Sequence, residues 1–194
     1  MNQSPKEPEE LWDIYDQHRH LTGKIHKRGI PMEQGQYRLA VHVCIFNSKN
    51  ELLIQQRQTW KAAWPAMWDV TIAGSAIAGE TSQDAAEREA LEELGLKLDL
   101  SGIRPHFTMN FAQGFDDYYL IEQEVEIDSL VLQQEEVRQV KWVSKEELMQ
   151  MYQEGIVIPY YFLDKLFECR KYYGAWSDEV AERYSKAYLD SHKK

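Results

Sequence analysis

The segment from residue 74 to residue 96 concentrates side chains that can bind cations. It carries six carboxylates and a single arginine among residues that favour helices. On a helix of about 3.6 residues per turn, Glu89, Glu92 and Glu93 fall within roughly a third of the circumference. Like charges at this spacing destabilise a helix by about 0.2–0.5 kcal/mol per pair. This edge therefore needs either a positive partner or full exposure to water.

A hard divalent cation would supply the positive charge. Mg²⁺ prefers oxygen ligands and commonly combines carboxylates with water and substrate phosphate oxygens. The alternative is an acidic face that is simply solvated, as is common on exposed helices. The opposite side of the helix, with Ala90, Leu91 and Leu94, is predicted to face a core.

Local signals predict the elements that must position this edge. Thr81 followed by Asp84 is a weak form of the capping box, and Gly95 is predicted to end the helix. Runs of β-branched and aromatic residues predict strands at 10–16, 37–46, 51–57, 69–73, 104–111, 117–126 and 137–143. Further helices are predicted at 144–153, 161–173 and 178–190.

The order of these elements predicts an α/β sandwich with a mixed sheet. The strands at 37–46 and 51–57 are predicted to form a hairpin through the turn NSKN. Residues 17–24 are predicted to form a turn after the first strand.

Composition limits the classes of function. The chain has 194 residues, 43% of them hydrophobic, so it can bury the core of one domain, predicted at 11–194 after a flexible, polar segment at 1–10. A net charge of −10 argues against a nucleic acid polymer as partner. The two cysteines lack zinc-site spacing and fit a reducing cytoplasm. No segment has the pattern of a signal peptide or a membrane span.

The spacing within residues 74–96 resembles the signature of the Nudix family, G-x5-E-x7-R-E-U-x-E-E-x-G-U, in which U is a bulky aliphatic residue. The matching residues are Gly74, Glu80, Arg88, Glu89, Glu92, Glu93, Gly95 and Leu96. With roughly one chance in fifteen per prescribed residue, such a match arises by accident on the order of 10⁻⁸ times per start point. One position departs from the signature, because Ala90 is small where the family has a bulky aliphatic residue.

The resemblance implies a Nudix-type α/β/α sandwich and a reaction. Nudix proteins hydrolyse a nucleoside diphosphate linked to another group, with Mg²⁺ or Mn²⁺ held by the helix of the signature. The resemblance implies that Glu89, Glu92 and Glu93 are metal ligands and that Glu89 is also a candidate general base. Arg88 would orient these glutamates through charge-assisted hydrogen bonds.

The resemblance also implies roles for the loop before the helix. Glu80 would steady this loop or contact a metal through water, and the carbonyl of Gly74 is a further candidate ligand. The remaining sequence is then a single Nudix domain at 11–194 with a C-terminal helical extension. Members of the family often form homodimers, so a homodimer stays open.

Candidate substrate-binding residues lie outside the signature. Arg57, at the end of a predicted strand, is a candidate for contacting a small diphosphate, with a solvated surface charge as the alternative. Trp68 is a candidate for stacking on a base, with a place in the core as the alternative. Glu135 and Glu136 are candidates for an additional catalytic carboxylate, with a solvated turn as the alternative.

Two other functions are compatible with the same family. Residues 12–29, 41–57 and 64–74 are similar to the Nudix subgroup related to isopentenyl-diphosphate isomerases, which use a cysteine just before the signature glycine. Here that residue is Ala73, which cannot transfer a proton, and Cys44 is predicted to be a buried hydrophobic residue. A Nudix fold that binds a nucleotide or a protein without catalysis is the other alternative. The intact set of acids with the arginine favours hydrolysis over both.

Overall fold

The computed structural model describes residues 10–171 together with Val180, Arg183 and Lys186. Residues 1–9 of the predicted flexible segment therefore lie outside the described residues, as does nearly all of the predicted helix at 178–190. No helix in the described part of the chain combines the length and the apolar character that crossing a membrane requires.

A mixed sheet forms the centre of the fold. Along the chain, the elements are β1 (Leu11–Tyr15), β2 (Leu21–Lys27), β3 (Arg38–Phe46), β4 (Leu52–Arg57), β5 (Trp68–Asp69), β6 (Ile72–Ser75), α1 (Ser82–Leu94), β7 (Phe107–Phe111), β8 (Gly114–Glu122), a 3₁₀ helix (Ile127–Ser129), β9 (Val137–Val143), α2 (Lys145–Gln153) and α3 (Leu163–Cys169). The main sheet has the order β5-β4-β3-β8-β7, with β6 also paired to β3 and β9 to β4, while β1 pairs with β2 separately. β3 and β8 run parallel, and the other pairs are antiparallel.

Several boundaries differ from the prediction. The turn predicted at 17–24 is partly wrong, because the chain pairs with β1 from Leu21 onward. Nearly all of β2 is exposed, so its sequence lacks the regular pattern of apolar residues by which a strand is recognised. The strand predicted at 104–111 begins only at Phe107, and the next begins earlier, at Gly114, because β7 and β8 form a tight hairpin. The helix predicted at 161–173 is shorter and ends at Cys169.

Helices cover both faces of the sheet, which confirms the predicted α/β/α sandwich. Alternate residues of β3 point to opposite faces, as a pleated strand requires. Val41 and Val43 pack in the cluster that contains Ala90 and Leu94 of α1. Cys44 packs in a second cluster, which contains residues of α2 and α3.

The predicted ends of α1 are confirmed. The Thr81 hydroxyl accepts a hydrogen bond from the backbone N–H of Asp84, and the Asp84 carboxylate accepts one from the backbone N–H of Thr81. Gly95 adopts a left-handed conformation with φ of 65° and donates its N–H to the Leu91 carbonyl.

The apolar stripe of α1 is narrower than predicted. Ala90 is completely buried, and its small side chain lets the helix approach the sheet closely. The prediction that Leu91 faces the core was wrong, because its side chain is 50% exposed. Leu91 follows Ala90 by about 100° around the helix, which places it at the margin of the contact.

The predicted hairpin of β3 and β4 is confirmed only next to its turn. Phe46 pairs with Leu52, and the two strands then separate. Thr71 lies completely buried between them. Its hydroxyl accepts a hydrogen bond from the Ile45 N–H at 2.9 Å and donates one to the Leu53 carbonyl at 2.5 Å. This side chain thus replaces the missing strand-to-strand hydrogen bonds.

Replacing Thr71 with valine should leave a buried N–H and a buried C=O without partners. We expect Thr71→Val to lower the free energy of unfolding by about 2–3 kcal/mol. Thr71→Ser keeps the hydroxyl and should cost only about 1 kcal/mol for the lost methyl group. Urea unfolding followed by tryptophan fluorescence measures both. Equal stability of the valine variant and the unmodified protein would contradict this role of Thr71.

Candidate active site

The acidic edge of α1 lies over the gap between β6 and β4. On the β6 side, Gly74 lies directly against Glu89, and a Cβ atom added to Gly74 would come within 2.2 Å of the Glu89 Cδ. On the β4 side, the Gln55 amide donates a hydrogen bond to the Glu93 Oε2 at 2.9 Å. Gly74 is therefore required by the close approach of the glutamate side chain.

Both of these carboxylates are poorly solvated. Burial raises the pKa of Glu93 well above its ordinary value, and the charge of Glu89 raises it further, whereas the hydrogen bond from Gln55 opposes the shift. Burial also raises the pKa of Glu89 to about 7, although Arg88 opposes the shift. Ionising the pair therefore requires more positive charge than the surrounding side chains supply.

Arg88 contacts Glu80, Glu89 and Glu92, and its Nη1 lies 3.1 Å from the Glu89 Oε1. Its Nε and Nη2 donate to the two carboxylate oxygens of Glu80 at 2.6 and 3.0 Å. Its Nη2 also donates to the Ser75 carbonyl at 3.0 Å, and its Nη1 donates to Glu92 at 2.9 Å. Burial lowers the pKa of Arg88, but the carboxylates of Glu80 and Glu89 outweigh it and raise the pKa above its ordinary value.

Glu80 and Glu92 differ in how firmly Arg88 holds them. Glu80 binds the guanidinium through both oxygens and also accepts a hydrogen bond from the Ile77 N–H at 2.9 Å. Its carboxylate is thus committed to the loop and to Arg88, which leaves it poorly placed as a direct metal ligand. Glu92 is 52% exposed and makes one hydrogen bond to Arg88, so its side chain is able to turn.

The donor set has the right chemistry for a hard divalent cation. In the described part of the chain, no three Asp, Glu, His or Cys side chains are already arranged to hold a metal ion. Coordination by three carboxylates therefore requires a side-chain movement, and Glu92 is the one free to make it. Glu89 and Glu93 supply oxygen donors, and both need positive charge to ionise at neutral pH.

A cavity of about 570 Å³ opens beside the acidic edge. Gly74, Glu89, Glu92 and Glu93 form part of its wall, and so do Arg57, Lys61 and Glu136. The Lys61 Nζ lies 2.6 Å from the Glu136 carboxylate, and the Arg57 Nη1 lies 3.9 Å from Asp69. The structure thus brings two outlying candidates, Arg57 and Glu136, to the same cavity as the acids of α1.

Trp68 and Glu135 are placed elsewhere. Trp68 is 8% exposed and packs in the cluster under α2 and α3, with the Lys141 Nζ 5.1 Å from its ring centre. It is absent from the cavity wall, on which Trp64 lies instead. The Glu135 carbonyl accepts a hydrogen bond from the Trp60 indole. A pattern of tryptophans alone does not distinguish a core residue from a wall residue, which is why Trp68 was a candidate.

The sequence reasoning missed a polar network in the cavity wall. The His42 Nδ1 lies 2.6 Å from Asp116, and its Nε2 lies 3.1 Å from the Tyr160 hydroxyl. This hydroxyl donates to Asp69 at 3.1 Å. Burial lowers the pKa of His42, but Asp116 outweighs it and raises the pKa above its ordinary value. The signal that could have found this network was a histidine within the otherwise apolar run LAVHVCIF.

Comparisons with known proteins show what this chain is similar to. The family model described as the NUDIX domain matches residues 36–166. An uncharacterised Nudix hydrolase of Listeria monocytogenes is 51% identical over 161 residues, which cover 83% of this chain and 95% of the relative. An isopentenyl-diphosphate Delta-isomerase of Salmonella typhi is 27% identical over 157 residues, which cover 77% and 83% of the two chains.

A solved structure has the same fold. A protein of Deinococcus radiodurans aligns with a TM-score of 0.67 at 20% identity, over 82% of this chain and 99% of that one. At this identity the likeness concerns the fold alone. The family model, which spans most of the chain, and the Listeria relative establish more than the fold. The chain belongs to the Nudix hydrolase family.

Proposed function

We propose that this protein is a Mg²⁺-dependent or Mn²⁺-dependent hydrolase that cleaves a diphosphate linkage in a nucleoside diphosphate derivative or a similar small diphosphate. The observation that carries the proposal is the pair of poorly solvated carboxylates, Glu89 and Glu93, on the wall of a cavity that also contains cationic side chains. Membership of the Nudix hydrolase family supports a reaction at a pyrophosphate bond.

The residues that would hold the cation are Glu89, Glu92 and Glu93, with the Gly74 carbonyl as a further candidate. When bound, a divalent cation neutralises phosphate charge and acidifies a water molecule. Glu80 is better suited to fixing Arg88 than to binding the cation, because its carboxylate is already bound bidentately by that guanidinium.

The chain's own side chains have distinct tasks in this proposal. Glu89 has a pKa of about 7 in the metal-free site; with a cation bound it would be ionised, and it is the candidate to accept a proton from the attacking water. Arg57 and Lys61 lie on the same wall and would attract an anionic substrate. Local positive charge of this kind, with the cation, lets a protein of net charge −10 bind a diphosphate.

We also propose that residues 11–194 form one Nudix domain with a C-terminal helical extension. The support is the continuous series of elements from β1 to α3, which build the two layers on either side of one sheet. A homodimer and a cytoplasmic location stay predictions of the sequence.

Isomerisation is the less suitable reaction. Ala73 lines the cavity next to Gly74 and carries no group that can move a proton. Cys44 is completely buried in the second core cluster, where burial raises the pKa of its thiol well above the ordinary value. The site therefore offers no thiol for protonating an alkene within the described residues.

A panel of nucleoside diphosphates, nucleotide sugars and dinucleotide coenzymes tests the proposal. We expect release of phosphate or monophosphate from at least one compound with Mg²⁺ or Mn²⁺ and none above background in excess chelator, because the paired carboxylates need positive charge. Isopentenyl diphosphate, followed by proton NMR, should stay unchanged. Full turnover in chelator, or steady formation of dimethylallyl diphosphate, would refute the proposed reaction.

Glu93→Gln should separate a metal ligand from a structural glutamate. The amide is a poor Mg²⁺ ligand, so we expect turnover to fall by on the order of 10²-fold or more. The metal-free variant should be as stable as the unmodified protein or more stable, because a buried charge and its repulsion from Glu89 are removed.

Thermal unfolding in chelator and initial rates at saturating Mg²⁺ measure the two effects on the same preparations. Glu126→Gln, which removes the same charge from an exposed position, serves as the matched control. A Glu93→Gln protein that is less stable without metal but turns over at the normal rate would show that Glu93 is not a ligand.

The pKa of Glu89 predicts a pH dependence for the metal-free protein. Its value of about 7 in the folded state lies above the value near 4.3 expected in the unfolded chain. Folding therefore disfavours ionisation, and the contribution of Glu89 to stability is lost as pH rises from about 4 to about 7. We expect Glu89→Gln to exceed the unmodified protein in stability by on the order of 1–3 kcal/mol at pH 8 in chelator. Urea unfolding at pH 4 and pH 8 measures this difference, which should nearly vanish at pH 4.

A further inference from the structure

Five cationic side chains line the cavity, and Arg38 differs from the others. Arg88 is bound to Glu80, Arg28 lies 2.6 Å from Glu10, Lys61 lies 2.6 Å from Glu136, and Arg57 lies 3.9 Å from Asp69. Among the described residues, no carboxylate lies within ion-pair distance of Arg38. Its polar contact is with a neutral group, since its Nη1 donates to the Ser75 hydroxyl at 2.6 Å.

Two aromatic rings lie close to the Arg38 guanidinium. Its Cζ lies 4.8 Å from the ring centre of Trp12 and 5.0 Å from that of Phe111. Gly114 makes this arrangement possible, because a Cβ atom there would come within 2.5 Å of the Phe111 ring. With two aromatic rings packed close to the guanidinium, its N–H groups are the part that can bind a polar partner.

The environment makes this positive charge costly. Burial lowers the pKa of Arg38 below its ordinary value, and the more distant charges of Asp116 and Glu10 do not restore it. A partly buried guanidinium with one neutral acceptor has unused hydrogen-bond donors, and unpaired charge of this kind favours an anionic ligand.

The position of Arg38 connects it to the acidic edge. Ala40, two residues along β3 from Arg38, pairs with Ser75 of β6, so Arg38 and Ser75 point to the same face of the sheet. Ser75 accepts from Arg38 through its hydroxyl and from Arg88 through its carbonyl. Gly74, which contacts Glu89, is the neighbouring residue of the same strand.

We propose that Arg38 binds phosphate oxygens of the substrate diphosphate through the N–H groups that Ser75 does not occupy, in the cavity whose wall also carries the metal-binding carboxylates of α1. This inference rests on the proposed function, because it takes the ligand to be a diphosphate. A planar guanidinium matches a phosphate group with two parallel hydrogen bonds, which the flexible ammonium of a lysine cannot reproduce. One phosphate would then lie nearer the carboxylates and the other nearer Arg38.

The test uses methylenediphosphonate, a diphosphate analogue that cannot be hydrolysed, with saturating Mn²⁺ in isothermal titration calorimetry. We expect Arg38→Gln to bind this analogue about 10- to 100-fold more weakly than the unmodified protein, as expected for lost charge-assisted hydrogen bonds. Arg38→Lys should fall between the two. Titration with Mn²⁺ alone should give the same affinity for all three proteins, within about threefold.

Arg138→Gln removes the same charge from an exposed position on β9 and should bind the analogue normally. If Arg38 only holds Trp12 against Phe111, its substitution will lower the melting temperature of the protein, but the folded protein will bind the analogue with unchanged affinity. The inference is then wrong. Equal affinities of Arg38→Gln and Arg138→Gln overturn it even if the panel reveals a hydrolysed diphosphate. Absence of analogue binding by the unmodified protein would overturn this inference, and absence of any hydrolysis in the panel would overturn the proposed function separately.

Discussion

The burial of two neighbouring carboxylates, Glu89 and Glu93, is the constraint on which the site depends. Burial is the largest cause of the raised pKa of each group, and the charge of Glu89 raises the pKa of Glu93 further. The fold tolerates this arrangement through specific contacts. Gly74 leaves room for one carboxylate, and Gln55 donates a hydrogen bond to the other. A side chain at position 74 would clash with Glu89, and an apolar residue at position 55 would leave Glu93 without its hydrogen bond. Either change would disrupt the site without altering its net charge.

The position of α1 follows from small residues and firm helix ends. Buried alanines, Ala90 among them, allow the helix axis to approach the sheet, so carboxylates on its edge reach across to β6 and β4. The separation of β3 from β4 provides the gap into which they extend, and Thr71 satisfies the backbone groups that this separation leaves unpaired. The irregularity of the sheet is therefore a condition of the site, since a regular hairpin would close the gap.

Local patterns predicted the parts of the molecule that depend on neighbours in sequence. The cap at Thr81, the end of α1 at Gly95 and the sandwich architecture were all recoverable in this way. Contacts between distant segments were not. Arg38 acquires its environment from Trp12 and Phe111, and a lone arginine at the start of a strand gives no sign of either. The exposed strand β2 escaped for the same reason, and Trp68 stayed open between a stacking role and the core, because burial is decided by tertiary packing.

The alternating side chains of β3 both support α1 and line the cavity. Residues of β3 such as Val41 and Val43 form the surface on which α1 rests, whereas Arg38 and His42 point the other way and line the cavity. A shift of one residue in the pairing of β3 with β6 would exchange these sets, burying the cations under α1 and exposing the valines to the cavity. The register that packs the core is thus the same register that places Arg38 and His42 on the cavity wall, so a change that disturbs the packing of β3 also disturbs the cavity.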